Sequence, residues 1–160
     1  MKQYSIEEFF RNAPTAAYQI SPDGRHISYM SPYKDRMNLF VVPTDGETLP
    51  RQLTFETERS IQGYMWAGND RLLFAKDTAG DENYRLYGIS IDGSDEICYT
   101  PFEGVRAGIL DDLEDVPDEV LIERNRRNPE AFDPYRLNLK TGELTLLAEN
   151  PGNYQGWLTD

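Results

Sequence analysis

The sequence predicts an all-β fold, a partial β-propeller of about three four-stranded antiparallel blades preceded by a short N-terminal helix. Two observations predict this fold: turn signals recur at a period of about 47 residues, and each turn lies between extended apolar runs. A propeller blade is a four-stranded antiparallel sheet that repeats at such a period. The predicted ranges are 1–15 for the helix and lead-in, 16–60, 61–106 and 107–153 for the blades, and 154–160 for the first strand of a truncated fourth blade.

The helix is predicted over residues 5–12. Ser5 begins a capping box with the glutamate three residues later, an arrangement in which each side chain bonds to the backbone amide of the other residue. The apolar residues Ile6, Phe9 and Phe10 share one helical face. We therefore expect a short amphipathic helix that packs on an apolar surface before the first blade.

The first feature that recurs is a turn in the second half of each repeat unit. These turns are Asp45-Gly46, Asp92-Gly93 and Thr141-Gly142, and their glycines lie 47 and 49 residues apart. Because Asp and Gly tolerate a positive φ, such a pair between alternating strands predicts a tight hairpin. Each unit is therefore expected to end in a hairpin of its third and fourth strands.

Two further features, an earlier turn and a small residue, recur at the same period. A second set of turns comes earlier in each unit, at Pro22-Asp23-Gly24, Gly68-Asn69-Asp70 and Pro117-Asp118. Small residues recur in the first strand, spaced by 46, 45 and 48 residues, at Ala17, Gly63, Gly108 and Gly156. They indicate a close approach of backbones around a central channel. A β-sandwich with regular hairpins is the alternative, and the agreement of three registers favours the propeller.

The composition excludes several classes of partner. The 160 residues hold 16 Lys and Arg against 28 Asp and Glu, a net charge of −12. Nucleic acids and anionic membranes attract Lys and Arg, so neither is an expected partner. The N-terminus lacks the apolar run of a signal peptide, and Cys98 is the single cysteine. We therefore expect a cytoplasmic protein without an internal disulfide bond.

The residue patterns predict no catalytic, cofactor or metal site in this chain. The segment 88–92 lacks the last glycine of a nucleophile elbow, and the single histidine, His26, is expected to be an exposed residue at a strand start. An acidic run fits no EF-hand spacing and is expected to be a solvated rim; it comprises Asp111, Asp112, Glu114, Asp115, Asp118 and Glu119. A pair of glycosidase carboxylates stays open, because distance in the fold decides it.

The longer predicted loops gather at one end of the blades. They are 31–38, 76–83 and 125–134 between second and third strands, and 55–60, 101–106 and 149–153 after the fourth strands. Function usually resides on long loops held by a rigid scaffold, so this end is predicted to meet a ligand or another domain. The segment 80–84 is the most distinctive of these loops. Five arginines are candidates for binding a carboxylate, although each one singly is typical of a solubilising side chain: Arg59, Arg106, Arg124, Arg126 and Arg127.

Several segments, in this order, carry a family resemblance: 6–14 (IEEFFRNAP), 18–24 (YQISPDG), 38–41 (NLFV), 80–87 (GDENYRLY) and 136–144 (RLNLKTGEL). They resemble bacterial members of the prolyl oligopeptidase family, in its dipeptidyl-peptidase and acylaminoacyl-peptidase branch. The resemblance implies the first part of a propeller of about seven or eight blades that covers a C-terminal α/β-hydrolase domain carrying Ser, Asp and His. That domain is not found within these residues, so no catalytic role is transferred to any position.

We therefore expect a non-catalytic propeller segment of a serine peptidase. Its expected partners are the hydrolase domain and a peptide substrate, its expected role is to gate peptide access and dock that domain, and no cofactor is expected. The alternative is a stand-alone interaction module, similar to the propeller of a periplasmic translocation protein, although a periplasmic version lacks its export signal. A small enzyme with a carboxylate site is the third hypothesis.

Overall fold

The computed structural model describes Ser5, Ile6, residues 14–113, Val116 and residues 118–159. These residues form twelve strands: β1 (Ala16–Ile20), β2 (His26–Tyr33), β3 (Arg36–Pro43), β4 (Arg51–Gln52), β5 (Gly63–Trp66), β6 (Arg71–Lys76), β7 (Arg85–Ser90), β8 (Ile97–Cys98), β9 (Ala107–Asp111), β10 (Glu119–Asn128), β11 (Ala131–Asn138) and β12 (Leu144–Leu146). The helix predicted over 5–12 falls mostly on residues outside the described part. Within that part, no helix has the length and apolar character needed to cross a membrane.

The strands form three antiparallel sheets of four, each built from consecutive strands. The sheet orders are β1-β2-β3-β4, β5-β6-β7-β8 and β9-β10-β11-β12, which we name blades 1, 2 and 3. Each blade is thus a meander in which every strand pairs with its neighbour in sequence. The predicted all-β partial propeller is confirmed.

Two apolar layers hold the blades together, because successive residues of a strand point to opposite faces of its sheet. The layer between blades 1 and 2 contains Met30, Leu39, Val41, Leu72, Phe74 and Ile89. The layer between blades 2 and 3 contains Leu73, Leu86, Val120, Ile122 and Leu137. In blade 2, Leu72 and Leu73 therefore serve different interfaces, and both are fully buried.

Glycines adopt the left-handed conformation in the predicted tight turns. The φ angles are 70° at Gly24, 76° at Gly46, 71° at Gly68, 84° at Gly93 and 73° at Gly142. A residue with a Cβ is strained in this region, so the turn chemistry explains why glycine stands there. The hairpin turns read from the sequence are confirmed at these five positions.

The prediction of long loops between the second and third strands is wrong for two of the three blades, where the strands continue into a tight hairpin. In blade 1 the strands continue through residues 31–38 and pair up to Tyr33 opposite Arg36, leaving a two-residue turn. In blade 3 the pairing extends to Asn128 opposite Ala131. The extra cross-strand hydrogen bonds outweigh the polar character of these segments. Blade 2 alone keeps a loop here within the described residues, from 77 to 84.

The small residues of the first strands do not mark a close approach of backbones, so that interpretation is wrong. A Cβ placed on Gly63 or Gly156 would meet nothing within 4 Å, and one on Gly108 would meet only the Glu123 side chain at 3.6 Å. Ala17 is the unusual member, since it has a Cβ and a φ of 53°. The Tyr64 hydroxyl donates a hydrogen bond to the Ala17 carbonyl and helps hold this conformation.

Blade 1 and blade 2 each contain the same hydrogen bond, which joins the third strand to the segment after the fourth strand of that blade. Backbone amides donate to threonine hydroxyls, Leu39 to Thr54 and Leu86 to Thr100, both at 2.9 Å. The equivalent residues of blade 3 are Pro134, which has no N–H, and Ala148, which has no hydroxyl. Donor and acceptor are lost together, so blade 3 leaves neither group buried without a partner.

Candidate functional site

The candidate site lies at the end of the blades that carries the 77–84 loop, which we call the loop end. An ion pair anchors this loop: the Arg59 guanidinium donates to both carboxylate oxygens of Asp77, at 3.0 and 3.2 Å. The Asp77 side chain is 2 % exposed, whereas that of Arg59 is 46 % exposed. The hydrogen bonds from Arg59 lower the pKa of Asp77 below its ordinary value, so this carboxylate is ionised at neutral pH.

Further bonds order the loop along its length. The Asp81 carboxylate accepts from the amides of Thr78 and Asn83, at 3.2 and 3.1 Å. The Arg85 guanidinium donates to the Thr78 hydroxyl at 2.9 Å. Ala79, Gly80 and Glu82 have positive φ angles, so the loop has a built conformation that its side-chain bonds maintain.

The loop ends at Tyr84, which lies on the wall between two adjoining cavities. One cavity of about 330 Å³ contains Arg59 and Asp77 in its lining. The other, of about 540 Å³, reaches Arg106, Glu123, Trp157 and neighbouring residues of blade 3. Tyr84 and Gln62 line both cavities, so the two form one groove across blades 2 and 3, which we call the Tyr84 groove.

Charged side chains line both parts of the groove: Arg36, Glu58, Arg59 and Asp77 in one, and Arg106, Glu123 and Glu130 in the other. The Arg106 guanidinium lies over the Tyr84 ring, 5.3 Å from the ring centre. Burial raises the pKa of Glu123, and the positive charge of Arg106 opposes that rise. A half-buried carboxyl with a displaced pKa in a cleft is typical of a binding or catalytic position. Together with the aromatic walls, these groups suit a polar, extended ligand.

The other candidate arginines lie outside the groove. Arg127 donates to both oxygens of Asp133, whose side chain is fully buried, at 3.0 and 2.9 Å. The guanidinium groups of Arg124 and Arg126 both lie over the Phe102 ring, 4.8 and 4.3 Å from its centre. Of the five arginines, the structure therefore brings only Arg59 and Arg106 to the groove.

The acidic run lies at the opposite end of the blades, beside a cavity of about 790 Å³ that Asp112, Asp118 and Glu119 help to line. Asp118 pairs with Lys140 and Glu119 with Arg136, so both carboxylates are neutralised locally. Glu114 and Asp115 lie outside the described residues. Among the described residues, no group of three His, Cys, Asp or Glu side chains is arranged to hold a metal ion.

His26 is half-buried rather than exposed, which corrects the expectation. It begins β2, and its ring lies 6.5 Å from that of Trp66 across the interface between blades 1 and 2. The packing of blade 2 against blade 1 covers the imidazole, an effect that a local sequence pattern does not contain. The histidine is far from the groove in the fold, since it belongs to the tight-turn end of blade 1.

Sequence reasoning missed Glu123 as a site residue. Glu123 lies on the second strand of blade 3, and the equivalent residues are Met30 in blade 1 and Ala75 in blade 2. An alignment of the three repeats would have revealed Glu123, because this position is charged in blade 3 and apolar or small in the other two blades. The sequence placed the distinctive segment 80–84 at this end correctly, and Tyr84 is its last residue.

Comparison with known proteins relates the whole chain to peptidases, although no family model matches it. It is 30% identical over 155 residues to dipeptidyl aminopeptidase BIII of Pseudoxanthomonas mexicana, covering 96% of this chain and 22% of that protein. It is also 30% identical over 152 residues to dipeptidyl peptidase family member 6 of Caenorhabditis elegans, covering 90% and 20%. The chain is homologous to the propeller part of prolyl oligopeptidase family peptidases.

The fold comparison agrees with that relationship. The β-propeller domain of the trilobed protease from Pyrococcus furiosus matches with a TM-score of 0.62 at 16% identity, over 85% of this chain and 44% of that one. The resemblance to the prolyl oligopeptidase family that the segments carry is thus confirmed. The chain spans about a fifth of the length of the curated relatives it matches.

Proposed function

We propose that this chain is a non-catalytic propeller segment of a larger serine peptidase, in which it gates peptide access and docks an α/β-hydrolase domain. The observation that carries the proposal is the 30% identity, along nine-tenths or more of the chain, to two proteins named as dipeptidyl peptidases. Those relatives are about five times as long as the matched segment, which leaves room for further blades and a separate domain.

The Tyr84 groove supports the gating part of the proposal. A peptide in an extended conformation offers amide donors and acceptors at regular intervals, and the groove presents a carboxylate, a guanidinium and the amide of Gln62 along its length. Its walls are built on two rigid blades, and the ion pair of Arg59 with Asp77 orders the loop that ends in Tyr84. Such a wall admits a narrow chain more readily than a folded protein.

The first experiment expresses the complete coding region that contains this chain and measures the release of dipeptides from chromogenic peptide substrates. We expect activity in the longer protein and none in residues 1–160 alone. A coding region that stops after Asp160 would contradict the proposal and favour the stand-alone interaction module. Cell fractionation tests the accompanying proposal that the protein is cytoplasmic.

The second experiment tests the groove in the longer protein. Glu123→Gln and Arg106→Gln each remove a charge from the groove and keep most of the side-chain shape, so we expect the KM for peptides to rise several-fold with kcat nearly unchanged. Arg25→Gln is the matched control, because Arg25 is 82% exposed at the opposite end of blade 1. Equal changes in KM for all three variants would rule out the groove as the peptide path.

A further inference from the structure

A guanidinium group is buried without a hydrogen-bond acceptor where blade 3 packs against blade 2. Arg124, on β10, is 7% exposed, and its Nε and Nη1 atoms are buried and have no partner among the described residues. Aromatic rings cover the group instead, since its Cζ atom lies 4.0 Å from the centre of the Tyr135 ring and 4.8 Å from that of Phe102. Buried N–H groups are nearly always bonded, so this arginine marks a place where an acceptor belongs.

A second guanidinium lies over the same ring. Arg126, two residues further along β10, is exposed, and its Cζ atom lies 4.3 Å from the centre of Phe102. Neither Arg126 nor the exposed Glu103 beside that ring takes part in an ion pair or a side-chain hydrogen bond within the part of the chain that the structure describes. Arg126 can therefore move aside, and give access to Arg124, without breaking such a bond.

The carboxylate nearest to Arg124 in the sheet is already bonded to other groups. Asp133 is paired with Arg124 across β10 and β11, yet its oxygens accept bonds from the Arg127 guanidinium at 3.0 and 2.9 Å and from the Asn150 amide at 2.7 Å. The bonds from Arg127 lower the pKa of Asp133, so it carries one full negative charge. Glu149 is exposed and interacts with Arg127 only through its charge. Three arginines thus share one buried carboxylate, in a chain whose net charge is −12.

We propose that Arg124 and Arg126, held over Phe102, form a binding site for a carboxylate group that an acidic side chain of an extended peptide presents. A carboxylate accepts two parallel bonds from a guanidinium, either from Nε and Nη2 or from the two Nη atoms. Each of these edges of Arg124 includes one of its unpartnered nitrogens. The inference rests on the proposed function, because the ligand is a peptide, and it names the class of peptide as one that carries Asp or Glu.

The site adjoins the Tyr84 groove, which is why a peptide is the ligand. The Arg106 amide donates to the Asn125 side-chain oxygen at 2.8 Å, and the Asn125 amide donates to the Arg106 carbonyl at 3.2 Å. Arg85, which follows Tyr84, donates to the Phe102 carbonyl at 3.4 Å. The groove and the site therefore lie on two sides of the same blade ends, within reach of one extended chain of a few residues. A nucleic acid would be repelled by the net charge, whereas one acidic side chain is not.

Binding of labelled peptides to the longer protein tests the proposal. The peptides are about ten residues long and come in pairs that differ only in Glu or Gln at one position, and that position is moved along the peptide. Fluorescence anisotropy gives the Kd of each peptide, and mass spectrometry checks that it stays intact. We expect the Glu peptide to bind at least fivefold more tightly than its Gln partner at one or more neighbouring positions. The ratio should fall in about 1 M salt, which screens charges.

Two variants and a matched control locate the carboxylate. Arg126→Gln changes an exposed residue, so it should keep the fold and reduce the Glu-to-Gln ratio below twofold. Arg124→Lys keeps the positive charge and loses the two-pronged geometry, so the ratio should fall as well. The control Arg25→Gln removes an arginine whose side chain is 82% exposed at the tight-turn end of blade 1, and the ratio should stay unchanged. Circular dichroism checks the fold of each variant.

Each other outcome overturns the inference. Equal affinities for Glu and Gln peptides at every position would mean that no carboxylate binds. An unchanged ratio in Arg126→Gln would place the carboxylate elsewhere. Glutarate that displaces the Glu peptide at an equal concentration would assign the site to a free dicarboxylate. The proposed function is judged separately: a longer protein that prefers Glu peptides and releases no dipeptide would refute it and support the site, and cleavage without a preference would do the reverse.

Discussion

The stacking of blades predicts very different effects for two residues at equivalent positions, Phe74 and Tyr29. Both lie on a second strand and on the same face of their sheet, and each stacks on an aromatic residue of the third strand. Phe74 is 0% exposed because blade 1 covers it, whereas Tyr29 is half-buried. Comparing Phe74→Ala with Tyr29→Ala therefore measures the contribution of the contact between blades, because the two residues occupy equivalent positions in their blades.

The expected magnitudes follow from burial. Phe74→Ala removes a fully buried ring and leaves a cavity, which lowers the free energy of unfolding by about 3–5 kcal/mol. For Tyr29→Ala we expect a loss below about 1.5 kcal/mol, mainly from the lost aromatic contacts. At roughly 2–4 °C per kcal/mol for a chain of this size, the first variant should melt about 6–20 °C below the wild type and the second within about 6 °C.

The assay is urea and thermal unfolding of residues 1–160, followed by circular dichroism and tryptophan fluorescence. Trp66 lies in the layer between blades 1 and 2, so fluorescence reports on the tested interface in a Trp157→Phe background, where Trp66 is the single tryptophan. Equal losses for the two variants would refute the reasoning, because they would mean that blade 1 does not cover Phe74. A selective loss of the fluorescence transition in Phe74→Ala would show that the two blades separate before either one unfolds.

Three further predictions concern single residues. Ala17→Gly should raise the free energy of unfolding by about 0.5–1 kcal/mol, since relief of a left-handed alanine outweighs the greater freedom of glycine in the unfolded chain; a lower urea midpoint would contradict this. Thr54→Val leaves the buried Leu39 amide without its acceptor and should lower stability by about 1–3 kcal/mol, while Thr145→Val on an exposed strand position should change it by less than about 0.5 kcal/mol. The bonds from Arg59 and Arg127 lower the pKa values of Asp77 and Asp133, so their stabilisation is complete above about pH 4 and is lost as pH falls through the folded-state values. Urea midpoints should therefore fall more steeply between neutral and acidic pH in the wild type than in Asp133→Asn, and parallel curves would count against the ion pair.

The repeat and its tight turns could be predicted from the sequence because their causes are local. A glycine beside an aspartate favours a left-handed turn whatever surrounds it, and Gly46 and Gly93 adopt that conformation. Alternation of apolar residues along each strand likewise depends only on the period of two in a strand. The order of the strands in each blade follows from short connections between neighbours.

The long hairpins of blades 1 and 3 could not be predicted, because they depend on pairing across strands. Lys34 and Asp35 both adopt positive φ angles without glycine, and the pairing of Tyr33 with Arg36 compensates for that strain. The local polarity of residues 31–38 instead favoured a loop. Register between strands, rather than composition within one strand, decided where these hairpins turn.

The sequence by itself determined the all-β class, the period of the blades, the tight turns and the relationship to prolyl oligopeptidase family peptidases. Each of these depends on neighbouring residues or on their spacing along the chain. Only the tertiary structure decided that Tyr84, Arg106 and Glu123 share one groove and that the described residues leave Tyr29 and Phe40 of blade 1 half-buried. Those facts depend on how separate blades pack against each other, and burial of a side chain is a property of its neighbours in space.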